Sequence, residues 1–246
     1  MPNIGITSSD SYAPDGSVHP DVIPYLRAVE RAGGAPVLLA NDPANIDELL
    51  ATLGGVVLSG GVDVDPVRYG GKPDHPHSQA GRYRPERDDF EIELARATRD
   101  LRVPTLCICR GLQVANVAFG GTLIEDLREE LGERYTLNHR QTHENGQDRS
   151  DYTPGHDVKL DSKSALAALV GSATFATNSM HHQAIRQPGD GLVVIGRTSD
   201  GVIEAVDATF DHPFFFAVQW HPEELPGDAV TVRLFDGLMH SARLRR

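Results

Sequence analysis

The stretch Thr105 to Leu123, TLCICRGLQVANVAFGGTL, restricts what this chain can become more than any other. Thr105 to Ile108 is a short apolar run suited to a buried strand, and Gly111 to Phe119 then carries apolar residues at helical spacing. Cys109 falls at the junction. A residue held on a sharp strand-to-helix turn projects from the edge of a sheet, and the turn needs small neighbours, which Gly111 supplies. The helix that follows directs free N–H groups and the positive end of its dipole at the sulfur, favouring thiolate. On these residues alone, a buried structural cysteine is an equal alternative.

Near the other end, Phe214 to Gln219 is a second strand-like run that delivers Trp220, His221, Pro222 and Glu223. A histidine just past a strand end can reach a thiol on a neighbouring strand, and a carboxylate two residues on can orient its imidazole. The expected triad is therefore Cys109, His221 and Glu223.

Between the termini, strand and helix patterns alternate. Asn3 to Thr7, Pro36 to Leu39 and Gly55 to Leu58 read as strands; Asp21 to Ala32 and Ile46 to Leu53 read as helices, the first with Val22, Ile23, Leu26 and Val29 on one face. This alternation predicts an α/β fold with a mostly parallel central sheet flanked by helices. Asp88 to Leu101 reads as a charged amphipathic helix burying Phe90, Ile92, Leu94 and Ala97, and Ile124 to Leu131 as a short helix. Later come Val158 to Leu160, Leu192 to Thr198, Val202 to Asp207 and Phe214 to Gln219, with Ser164 to Val170 the one helix among them. Lacking regular crossovers, that group is expected to add antiparallel strands, before a closing helix at Ala229 to Ala242. One domain spanning 1–246 is expected.

Ser59, Gly60 and Gly61 follow the third strand, at the end where open α/β sheets place ligands. Backbone N–H groups there can stabilise an oxyanion, although a plain β-turn accounts for the glycine pair equally well. Val62 to Pro85 is a long polar loop holding Asp63, Asp65, His75 and His77, whose spacing fits no closed ligand set; solvated loop residues are expected, and no metal. Gly132 to Gly155 reads as a surface excursion or lid, with His139, His143 and His156 as exposed polar histidines in or near it. Gln113, one helical turn after Cys109, can offer a pocket both a donor and an acceptor.

A formal net charge of −12 disfavours a nucleic-acid surface and points to a small-molecule substrate. The only cysteines, Cys107 and Cys109, are separated by a single residue along one strand and are badly placed to pair; this suits the reducing cytoplasm. No run approaches the roughly 18 apolar residues of a membrane span, and no basic leader segment opens the chain. A homo-oligomer is left open.

The elbow CICRGLQ, the loop LSGGVDVDP and the ending VQWHPE resemble the class I glutamine amidotransferase superfamily, with its flavodoxin-like sheet, and in detail the gamma-glutamyl-gamma-aminobutyrate hydrolase group. IGIT at Ile4 to Thr7, YLRAVERAGGAPVLL at Tyr25 to Leu39, NSMHHQ at Asn178 to Gln183 and DGVIEAV at Asp200 to Val206 extend the likeness over nearly the whole chain. The chain departs from the superfamily at Cys107, where glycine is common, and at Ser59, where proline often begins the loop; both replacements are small. The resemblance implies oxyanion donors at the N–H groups of Gly61 and Arg110. By composition alone Asn178 to Gln183 is a hydrogen-bonded loop, while the resemblance implies that Ser179, His181 and Gln183 help hold a glutamyl group. It further implies cysteine-dependent hydrolysis of gamma-glutamyl amides through a gamma-glutamyl thioester, without a cofactor, in polyamine breakdown. A glutaminase subunit feeding ammonia to a separate synthase is the alternative; a silent binding module sharing the fold is disfavoured by retention of all three triad residues.

Overall fold

The computed structural model describes residues 1–9, 15–72, 83–141 and 155–245. His75, His77 and His143 lie outside them. In chain order the elements are β1 (Asn3–Ile6), α1 (Ile23–Arg31), β2 (Ala35–Leu38), α2 (Ile46–Ala51), β3 (Gly55–Leu58), α3 (Pro85–Asp100), β4 (Thr105–Ile108), α4 (Arg110–Ala118), β5 (Thr122–Ile124), α5 (Leu127–Leu131), β6 (His156–Leu160), α6 (Ala165–Val170), β7 (Thr174–Thr177), β8 (Ala184–Gln187), β9 (Leu192–Arg197), β10 (Ile203–Ala208), β11 (Phe215–Val218) and α7 (Ala229–Leu244).

Nine strands form one sheet in the order β2-β1-β3-β4-β11-β10-β9-β6-β7. The neighbours from β2 to β11 run parallel, and β11-β10, β10-β9, β9-β6 and β6-β7 run antiparallel, so the expected mixed sheet is present. Strands without crossover helices have no route to parallel pairing, which is why the second half turns antiparallel. β5 and β8 make a separate two-stranded sheet that the sequence pattern did not announce. It takes the first part of the expected Ile124 to Leu131 helix, which begins only at Leu127, where Asp126 caps it by accepting a hydrogen bond from the Glu129 N–H.

The order of the parallel strands places the chemistry. β4 lies between β3 and β11, so the segments leaving the C-terminal ends of all three strands sit side by side. They carry Ser59–Gly61, Cys109 and Gln219–Glu223 respectively.

Apolar residues pack on both faces of the sheet. One layer joins Tyr25, Ala28 and Val29 of α1 to Leu234, Leu238 and Met239 of α7; the other joins Leu50 of α2 to Phe90 and Leu94 of α3 and to Leu112 of α4. Cys109 belongs to the first layer and Cys107 to the second, both as free thiols; residues two apart on a strand share a face, so the split arises because Cys109 stands past the end of β4, in a turn with φ 51°. The α1 stripe is rotated from the expected one: Tyr25 and Ala28 are buried with Val22 and Val29, while Ile23 and Leu26 are half-buried.

Gly111 shows why the elbow tolerates no side chain. A Cβ there would stand 2.1 Å from the carbonyl oxygen of Leu58, a backbone atom of β3 that cannot yield without disturbing the sheet. Gly111→Ala is expected to cost about 3 kcal/mol, as overpacking at a rigid site does. Gly227→Ala, where a Cβ meets nothing within 4 Å, should leave the unfolding free energy nearly unchanged. Urea unfolding of the two variants checks this, and equal stabilities would contradict the close approach of α4 to β3.

Candidate active site

Cys109 occupies the turn between β4 and α4 with φ 51° and ψ −106°, a conformation that non-glycine residues rarely adopt. Its N–H donates to the Val218 carbonyl at 2.8 Å, which ties the turn to β11. Strain of this kind persists only where surrounding structure enforces it.

His221 follows β11, and its backbone is held from both sides by one side chain. Its N–H donates to Asn178 Oδ1 at 2.9 Å, and Asn178 Nδ2 donates back to the His221 carbonyl at 2.8 Å. Nδ1 of the ring lies 2.6 Å from Glu223 Oε1, and the ring interacts electrostatically with Cys109. The structure thus brings Cys109, His221 and Glu223 together. Burial disfavours the imidazolium, but the charges of Glu223 and Cys109 outweigh it and hold the His221 pKa well above its ordinary value. Gln219 Nε2 donates to the Cys109 sulfur at 3.5 Å.

The glycine loop approaches from β3. The Gly60 N–H donates to the Tyr25 hydroxyl at 2.9 Å, and a Cβ on Gly60 would press on the His221 ring at 2.8 Å. Gly61 has φ +146°, and a Cβ there would meet Arg87 Nη1 at 2.3 Å. The Gly60 N–H is therefore committed, whereas the Arg110 N–H opens α4, where a helix provides no internal acceptor.

Sequence reasoning missed what holds this loop. Arg87, Asp88 and Glu91 sit on the supposedly solvated face of α3, yet none is exposed. Arg87 donates to Glu91 Oε1 at 2.8 Å, to the Gly60 carbonyl at 3.0 Å and to Ser59 Oγ at 3.0 Å. The Arg110 guanidinium makes ion pairs with both Asp88 and Glu91. Burial pushes the Glu91 carboxyl up, but the guanidinium groups of Arg110 and Arg87 overcome it and leave the group below its ordinary range. The legible signal was the spacing Arg87, Asp88, Glu91, which puts all three on one helical face.

The expected substrate-contacting residues separate into two groups. Gln113 is joined to the sulfur through Gln219, its Nε2 donating to Gln219 Oε1 at 3.3 Å and to the Gln183 carbonyl at 3.2 Å. Gln183 donates to the Glu125 carbonyl at 3.3 Å, and its Oε1 is buried with no partner. Ser179 instead donates its hydroxyl to the His139 carbonyl at 2.7 Å, and His181 turns Nδ1 to the Gln183 carbonyl at 2.9 Å and Nε2 towards Glu204.

Two expectations are corrected. His139 and His156 are not exposed: both are buried, their rings 4.8 Å apart, and His139 is flanked by Asp200 and Glu204, so the burial of these polar rings is matched by buried acids. Asp63 is not a solvated loop residue either, since both of its carboxylate oxygens lie 3.1 Å from His182 Nε2. Asp65 accepts from the Val67 N–H at 3.1 Å and caps a short helical turn.

Residues 2–223 match the family described as Peptidase C26. A relative from Mycobacterium tuberculosis, named as a glutamine amidotransferase, is 39% identical over 221 residues, 89% of this chain and 66% of that one. The gamma-glutamyl-gamma-aminobutyrate hydrolase of Escherichia coli O157:H7 is 36% identical over 87% of this chain and 83% of its own length. Among solved structures, the glutaminase domain of a Trypanosoma brucei CTPS with bound acivicin superposes with a TM-score of 0.63 over 100% of this chain and 95% of that domain; at 17% identity this is a likeness of fold. No helix among the described residues is long and apolar enough to cross a membrane.

Removing one charge from the buried network tests its role. Glu91→Gln leaves two guanidinium groups short of a counter-charge, and a loss of about 3–5 kcal/mol in unfolding free energy is expected. A urea midpoint indistinguishable from the parent's would show that the network is incidental.

Proposed function

The chain belongs to the peptidase C26 family, and we propose that it is a cysteine hydrolase of gamma-glutamyl amides. The observation that carries this reading is the imidazole of His221, which meets the Glu223 carboxylate at 2.6 Å and interacts electrostatically with the elbow cysteine. His221 receives the proton of Cys109, and the thiolate attacks the side-chain amide carbonyl of the substrate. Charge gathers on the carbonyl oxygen and is met by the Gly61 and Arg110 N–H groups. As the tetrahedral species collapses, the C–N bond breaks and His221 gives its proton to the leaving amine, which departs from a gamma-glutamyl thioester on Cys109. His221 then removes a proton from water, the resulting hydroxide attacks the thioester, glutamate leaves, and the sulfur recovers its proton. Glu223 fixes the ring orientation throughout and stabilises the imidazolium.

Gln113 and Gln183 are the groups assigned to the glutamyl end, since hydrogen bonds link them through Gln219 to the sulfur and Gln183 Oε1 has no partner. Ser179 and His181 have their polar atoms directed at protein groups, and their part is to hold the segment that carries Gln183. The name of the Escherichia coli relative makes gamma-aminobutyrate the first amine to test. Two free thiols suit a cytoplasmic protein.

The name of the mycobacterial relative favours one other reading, a glutaminase that passes ammonia to a synthase. A panel of gamma-glutamyl amines, with glutamine included and no second protein, separates the two. Glutamate release from the amines is expected; turnover of glutamine alone, and only with a partner added, would favour the second. Cys109→Ala should abolish release while Cys107→Ala keeps most of it. Acylating the substrate's α-amino group should lower kcat/KM by something like 10⁴-fold, because groups built to bind it are left unpaired. Comparable rates on simple acyl amides would overturn the assignment.

A further inference from the structure

Glu204 on β10 is fully buried, and neither of its carboxylate oxygens makes a hydrogen bond. Three imidazole nitrogens stand around its Oε1: His139 Nδ1 at 3.5 Å, His156 Nε2 at 3.6 Å and His181 Nε2 at 3.4 Å. Those three nitrogens are also buried without a hydrogen-bond partner. The four residues can bring one donor atom each to within 4.8 Å of one another.

These separations are too long for good hydrogen bonds, which run about 2.7–3.2 Å. The three Glu204–histidine distances match the spacing of ligands on one ion: with metal–nitrogen and metal–oxygen bonds of about 2.0–2.1 Å, tetrahedral neighbours stand about 3.4 Å apart, and the widest separation, 4.8 Å, has to contract when the ion binds. The outer sides of two of the three rings agree, while Nδ1 of His156 is buried without a partner. His181 Nδ1 lies 2.9 Å from the Gln183 carbonyl, which can only accept, so Nδ1 carries the hydrogen and Nε2 presents a lone pair to the centre. His139 Nε2 lies 3.0 Å from Asp200 Oδ2, which in the same way leaves its Nδ1 lone pair facing inward. Imidazoles that ligate a metal are anchored through their other nitrogen to a carboxylate or carbonyl in this manner.

We infer that His139, His156, His181 and Glu204 bind one zinc-type divalent cation. Four protein donors close the coordination sphere and leave no position for water or substrate, so the site is structural and takes no part in the hydrolysis. Its four ligands come from the segment before the undescribed residues 142–154, the start of β6, the β7-β8 connection and β10. The same connection carries Asn178, which clamps the backbone of His221, so the ion would brace the wall on which the catalytic histidine is mounted. Nothing in this assignment depends on which amide the protein cleaves.

The test uses the full chain, stripped with a chelator and titrated with Co²⁺ and then Zn²⁺. One Co²⁺ per chain with the visible absorption of four-coordinate cobalt is expected, displaced by one equivalent of Zn²⁺, with a rise in Tm on Zn²⁺ addition. Glu204→Gln and His156→Ala should each lose at least tenfold in affinity. Should either variant fail to fold, the cobalt spectrum and stoichiometry of the parent still decide. A parent protein that binds neither ion at micromolar concentration would overturn the proposal and leave a proton-held cluster, as would binding left unchanged in both variants.

Discussion

The buried ion network of Arg87, Asp88, Glu91 and Arg110 is the interaction on which the site geometry depends. Two guanidinium groups and two carboxylates share a space closed to water, where an unmatched charge would be costly. Arg87 reaches from α3 to the Gly60 carbonyl and the Ser59 hydroxyl, while Arg110 is the residue directly after Cys109. One cluster therefore fixes the glycine loop and the start of α4 relative to each other. In the proposed reaction these two elements supply the donors that meet the developing oxyanion, and such donors act only if they are placed before the charge appears.

Sheet order does the rest of the positioning. Because β4 lies between β3 and β11 and all three run parallel, segments distant in sequence leave the same edge of the sheet as neighbours. Cys109 accepts a strained backbone at that edge, and Gly111 lets α4 pass close to the Leu58 carbonyl. His221 enters from the opposite side with its backbone held by Asn178 and its ring by Glu223. The proposed nucleophile and its proposed base thus follow separate strands, each locked by its own hydrogen bonds.

Elements with strong local patterns were legible in the sequence. The run Thr105 to Ile108, the glycine after the cysteine and the strand leading to His221 each carry their meaning within a few residues, so the elbow, the strands that bring Cys109 and His221 together and the parallel half of the sheet could be read directly. Failures arose where tertiary partners override local pattern. A helix face bearing Arg87, Asp88 and Glu91 looks solvated until Arg110, on another helix, supplies the missing charge. His139 and His156 look like loop histidines until Glu204 and His181 arrive from distant strands. β5 and β8 are short and, among the described residues, pair with each other apart from the main sheet, so neither carried a visible strand signal.

The central claim is that the reaction passes through a gamma-glutamyl thioester on Cys109. Rapid quenching of the enzyme in acid during turnover of gamma-glutamyl-gamma-aminobutyrate, followed by mass spectrometry of the digested protein, tests it most directly. A mass gain of one glutamyl acyl group is predicted on the peptide containing Cys109, removable by hydroxylamine and absent from Cys109→Ala. Full turnover with no acylated Cys109 peptide at any quench time, under conditions that preserve a thioester standard, would contradict the account.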